Sequence, residues 1–146
     1  MRIGVLATVR DAASSLPRFF NFLRSLESDS RVDRLFCSFY ENDSSDSTCE
    51  LLSAWLNDRP GFLKSERLGL PRLSGREISR TIRMGEARNH ALAGFGDEPL
   101  DWLVVVDVDI YVRPTHVWQL IEVLQRSCGV LMACASALQN IPDIFG

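Results

Sequence analysis

The stretch Trp102-Leu103-Val104-Val105-Val106-Asp107-Val108-Asp109 decides how this chain is read. Leu103 to Val106 is an uninterrupted apolar run. Such a run implies a strand covered on both faces, as in a parallel sheet. Two acids follow at once, separated by one residue. If the chain stays extended, Asp107 and Asp109 project to the same side. Two carboxylates at a strand end repel unless a cation lies near. Mg²⁺ and Mn²⁺ are hard ions that take one or two carboxylates from a protein and complete their shell with phosphate and water. The pair therefore points to a metal, held by Asp107 and Asp109, that bridges the protein to a diphosphate. The bland alternative is a solvated acidic turn.

Working outward, strands and helices alternate. Ile3 to Val9 is apolar and β-branched, a buried strand. Ser14 or Ser15 caps a helix with Pro17 in its first turn, where a missing N–H costs nothing. Leu16, Phe19, Phe20, Leu23 and Leu26 recur along it at helical spacing. Leu35 to Tyr40 is a second strand, and Thr48 opens a helix carrying Leu51, Leu52, Trp55 and Leu56. Phe62 to Leu68 reads as a short third strand. From about Ser79 to Ala93 a helix turns Ile82, Ala87, Ala91 and Leu92 inward. Pro114 starts another helix, and Gly129 to Ala135 reads as a last buried strand. The expected fold is α/β, an open, mainly parallel sheet with helices on both faces. Ligands of such sheets bind beyond the carboxyl ends of the strands.

The chain has 146 residues, so one domain, 1–146, is expected. Its hydrophobic fraction of 46% and charged fraction of 24% are those of a globular protein. A net charge of −3 argues against a broad nucleic-acid-binding surface. No apolar run approaches the roughly 18–20 residues that span a bilayer. The N-terminus enters a strand directly, with an apolar stretch too short for a signal peptide, so a cytoplasmic protein is expected. Cys37, Cys49, Cys128 and Cys134 form no C-x-x-C pair and read as small buried hydrophobes. Oligomeric state is not legible.

Two further polar groups lie at predicted strand ends or on a helix. Glu41-Asn42-Asp43-Ser44-Ser45-Asp46-Ser47-Thr48 follows the second strand. Its first acids can bond a ribose or a base edge, while Asp46 and Thr48 serve the following helix. Arg80 and Arg83 are neighbours on one helix, and Arg88 lies about two turns beyond Arg80. Guanidinium forks suit phosphate. A solvated face is the competing reading, with Arg83 paired to Glu86. His90 and His116 are the only histidines and are expected to be structural or exposed. No G-x-G-x-x-G, Walker or G-x-S-x-G element is present, which disfavours dinucleotide redox, P-loop and hydrolase chemistry.

Four segments together resemble the nucleotide-sugar glycosyltransferases of the GT-A fold. They are Ile3-Gly4-Val5-Leu6-Ala7-Thr8-Val9-Arg10, Tyr40 to Thr48, Met84-Gly85-Glu86-Ala87-Arg88-Asn89-His90-Ala91-Leu92 and Val106 to Asp109. The nearest likeness is to the cryptococcal capsule-associated, mannosyltransferase-like group and to chlorovirus glycosyltransferase domains. The resemblance implies a GT-A-like, Rossmann-like sheet. It implies that Thr8, Arg10, Glu41 and Asp43 line a nucleotide pocket, and that Arg88 approaches the diphosphate or sugar. It implies Mn²⁺ or Mg²⁺ at Asp107 and Asp109, a UDP- or GDP-sugar donor, and a glycan or glycoconjugate acceptor. Asp109 and Arg88 would serve the chemistry. Asp143, the only acid after Glu122, is the candidate base. A nucleotide-sugar binding module without turnover is the other reading of the same residues.

Overall fold

The computed structural model describes residues 1–72 and 78–135. In chain order the elements are β1 (Arg2–Val9), α1 (Leu16–Glu27), β2 (Arg34–Asn42), α2 (Thr48–Leu56), β3 (Gly61–Glu66), α3 (Ile78–Ala93), β4 (Trp102–Val105) and α4 (Pro114–Arg126). The four strands form one sheet in the order β3-β2-β1-β4, and every pairing is parallel. Asp143 lies outside the described residues.

The chain divides into two compact units, Met1–Val112 and Arg113–Gly146. In the first, pleat alternation sorts the strands between two faces. Phe39 lies on one face, and the Phe19 ring of α1 meets it edge-on with centroids 6.2 Å apart. Leu16, Leu23 and Leu26 of α1 and Leu52 of α2 are fully buried, each contributing about 1.5–3 kcal/mol by leaving water. On the other face Leu6 and Tyr40 form a cluster with Ala91 of α3 and Phe95. The Ser38 hydroxyl donates to the Ala91 carbonyl at 2.5 Å and ties α3 to β2. The fold is thus the expected parallel α/β sheet with helices on both faces. In the second unit, α4 begins with Pro114, and the His116 ring nitrogen accepts the Arg113 N–H at 3.3 Å. Val117 and Ile121 are its buried side chains.

Three expectations about the strands and helices fail. The Leu103–Val106 run is not covered on both faces: Leu103 and Val105 are 43% and 53% exposed. Among the described residues β4 pairs only with β1, so it is an edge strand. Leu103 and Val105 share the α3 side with Gly4 and Leu6, their partners in register, and that side of the edge is bare. Residues 129–135 form no strand, and Leu131 is 97% exposed. An apolar run becomes a strand only where another strand pairs with it. Finally, Ile82 and Leu92 point outward and Ala91 inward. Ile82 lies nine residues from Ala91, about two and a half turns, which puts it on the opposite side of α3.

Among the described residues the cysteines form no disulfide. Cys37 is buried as expected, Cys49 is half-buried, and Cys128 and Cys134 are exposed. No described helix is long and apolar enough to cross a membrane.

Candidate functional site

A cleft of about 730 Å³ opens at the carboxyl ends of the strands, within the usual range for a ligand site. Its lining is strongly charged. Arg10, Lys64, Arg72, Arg80 and Arg83 contribute cations, and Asp11, Glu66, Glu86, Asp107 and Asp109 contribute carboxylates. Thr8 and Tyr40 line it from β1 and β2.

The loops after β1 and β2 are stitched together. Asp11 takes a left-handed φ of 48°, a conformation acidic residues tolerate better than most. Its carboxylate accepts the Ser45 N–H at 2.7 Å, and its own N–H donates to the Ser44 hydroxyl at 3.0 Å. The Ala12 N–H donates to the Thr48 hydroxyl at 2.8 Å and the Ala13 N–H to Asp46 at 3.0 Å. Asp46 also accepts the Thr48 hydroxyl and N–H. The Thr48 hydroxyl, then the backbone donors, outweigh partial desolvation and hold the Asp46 carboxyl below the usual range.

The two acids expected in the nucleotide pocket have protein partners instead. Glu41 is buried, accepting the Ser44 N–H at 2.8 Å and the Ser65 hydroxyl. Asp43 accepts three successive backbone donors: Leu68 at 2.7 Å, Gly69 at 2.8 Å and Leu70 at 3.2 Å. Such a run of N–H groups is an anion nest, and here the chain's own carboxylate fills it. Desolvation pushes the Asp43 pKa up, but the bonds from Gly69, Asn42, Leu70 and Leu68 outweigh it, and the group titrates below the usual range. Neither acid lines the cleft; from this segment Tyr40 and Asn42 do.

The arginines grip the same rim. Arg10 donates to the Leu70 carbonyl at 3.0 Å, and Arg83 to the Pro71 carbonyl at 3.2 Å. Arg83, expected to pair with Glu86 on a solvated face, bonds the rim instead. Arg80 lines the cleft beside it. The Arg10 Nε is buried with no hydrogen-bond partner.

At the end of β4, Asp107 and Asp109 line the cleft. Arg88 lies on Asp107, Nη2 to Oδ1 at 3.6 Å, and does not itself line the cleft. Among the described residues no group of three His, Cys, Asp or Glu side chains could hold a metal ion. Two aspartates alone are too few donors for an all-protein cage.

Sequence reasoning missed a second cluster. Tyr40 and Lys64 are partners in the β2–β3 register. The Tyr40 hydroxyl donates to Glu66 at 2.9 Å, Lys64 pairs with Glu66 at 3.0 Å, and the Lys64 ammonium meets His90 Nδ1 at 3.2 Å. The His90 ring stacks on Tyr40, centroids 5.0 Å apart. Lys64, and then Tyr40, hold the Glu66 carboxyl below the usual range. Burial, and then Glu66, push the Tyr40 hydroxyl up to about 12. The available signal was Lys64-Ser65-Glu66, two charges alternating onto one face at a strand end.

No family pattern matches the chain, and no curated protein does. Among solved structures, S. aureus TarS 1-349 superposes with a TM-score of 0.57 at 16% identity, over 86% of this chain and 32% of that one. The crystal structure of a mycobacterial protein superposes with a TM-score of 0.46 at 21% identity, over 88% of this chain and 38% of that one. The chain thus spans about a third of the length of TarS 1-349. What the likeness to TarS 1-349 shows is the architecture: a parallel, Rossmann-like α/β sheet.

Proposed function

We propose that this chain binds a nucleoside-diphosphate sugar in the cleft and serves glycosyl transfer from it to an acceptor hydroxyl of a glycan or glycoconjugate. The observation that carries the reading is the charge arrangement at the strand ends. Arg10, Arg80 and Arg83 stand in one cleft with Asp107 and Asp109, on a fold like that of TarS, a glycosyltransferase. A sugar leaving a diphosphate builds negative charge on the departing oxygen, and preorganised cations stabilise it. Arg10, Arg80 and Arg83 supply guanidinium donors for the phosphate oxygens. Asp107 and Asp109 would hold Mn²⁺ or Mg²⁺, which when bound would neutralise charge on the diphosphate. Thr8 lies beside the nucleotide. Arg88 pairs with Asp107 and competes with the cation for its carboxylate. Asp43 and Glu41 act through the loops they fasten.

Calorimetry with UDP and with GDP, each with and without Mn²⁺, tests the reading. Metal-dependent binding of one nucleotide is expected, with the metal dependence removed by Asp109→Asn. Absence of binding for both nucleotides in both conditions overturns it. Binding without sugar transfer or donor hydrolysis would identify a nucleotide-sugar binding module.

A further inference from the structure

We propose that the Lys64–Glu66 pair on β3, set beside the Tyr40–His90 ring stack, reads the nucleobase and selects guanine over uracil. This rests on the nucleotide reading above and sharpens it to a guanosine diphosphate donor.

The placement follows from the sheet order. β3 and β4 lie at opposite edges, with β2 and β1 between them. Three interstrand spacings separate their ends, about 14 Å, room for a ribose and a pyrophosphate. The metal-suited acids stand at the β4 end. At the β3 end the Glu66 carboxylate repels phosphate, so the uncharged part of the ligand belongs there.

The surface at that end is made for a flat ring. Tyr40 is 3% exposed and backs His90, which is itself exposed and lines the cleft. One imidazole face lies on Tyr40, and the exposure of the ring to the cleft lets a base lie against it. Lys64 is held in place by Glu66 and by His90 Nδ1. An ammonium has three N–H donors, so one remains for the ligand. Glu66 is ionised and accepts only. Tyr40 and Lys64 engage one oxygen each, and each oxygen keeps a further lone pair.

Side by side, these groups offer a donor and then a double acceptor. The guanine edge presents the complement: the O6 acceptor, then the N1–H and N2–H donors. The uracil edge presents acceptor, donor, acceptor, and sets its O2 against a carboxylate oxygen. Cytosine and adenine offer no such donor pair beside a carbonyl.

The test is calorimetry of the full chain with GDP and with UDP in the presence of Mn²⁺. GDP is expected to bind at least about tenfold more tightly, the discrimination a bidentate base contact provides. Glu66→Gln should weaken GDP by a similar factor and close the gap to UDP. Should that variant fail to fold by circular dichroism, the wild-type ratio decides alone. UDP binding as tightly as GDP overturns the base assignment and leaves the nucleotide reading intact. So does an equal loss of both nucleotides in Glu66→Gln, because the contact would then be to a group they share. If neither nucleotide binds, both proposals fall.

Discussion

Asp43 and Gly69 both occupy the left-handed region, at φ 56° and 66°, and the carboxylate of the first accepts the N–H of the second at 2.8 Å. The Gly69 conformation is what presents three consecutive N–H groups to one carboxylate. A Cβ at Gly69 would meet no atom within 4 Å, so any cost of Gly69→Ala is backbone strain alone. We expect a loss of about 1 kcal/mol in urea unfolding. A neutral result would show that the nest does not depend on this torsion.

Arg88 restrains Asp107. Arg88→Met removes the cation 3.6 Å from the Asp107 carboxylate and leaves it freer to take a metal. Half-exposed pairs contribute up to about 1 kcal/mol. Free Mn²⁺, counted by electron paramagnetic resonance, should show affinity raised by up to about fivefold. Weaker binding in the variant would mean that Arg88 helps to build the ion site.

Acid should loosen the junction of β1 and β4. The Arg2 guanidinium, then the Arg2 N–H, hold the Asp101 carboxyl at about 2, below its ordinary 3.8. A depressed carboxylate stabilises the fold above its unfolded pKa and ceases to as pH falls through the folded one. Asp101→Asn should therefore lower Tm at pH 5, and the two melting curves should converge near pH 2. A constant gap across that window would exclude the linkage.

Cysteine reactivity should divide by burial. Burial pushes the Cys37 thiol up to about 12, and the thiolate is the reactive form. With iodoacetamide at pH 8, Cys128 and Cys134 should be alkylated in the native protein, and Cys37 only in denaturant. Native labelling of Cys37 would contradict the packing of β2.

The sheet was legible because its signals are local. β1 and β2 begin within a residue of their expected starts, and Pro17 and Pro114 stand in the first turns of α1 and α4. What failed depends on neighbours. Leu103-Val104-Val105-Val106 has the composition of an inner strand, yet position in the sheet, not composition, determines cover, and β4 is at the edge. The site was legible as a set of loops but not in its wiring. Asp43 and Glu41 have the chemistry of ligand-binding acids, and sequence does not say that the Leu68–Leu70 amides and Ser65 reach them first. Tyr40 of β2, the Lys64–Glu66 pair of β3 and His90 of α3 lie on separate elements that only the β2–β3 register and α3 bring together.

The two walls of the cleft differ in what keeps them shut. The floor from Asp11 to Thr48 is welded by short bonds among its own side chains and amides. The opposite lip is latched in part by Arg10 on Leu70 and Arg83 on Pro71. A guanidinium fork matches the paired oxygens of an anion better than a single carbonyl. If the proposed reading holds, a pyrophosphate entering here would compete for the same guanidinium donors that hold the lip.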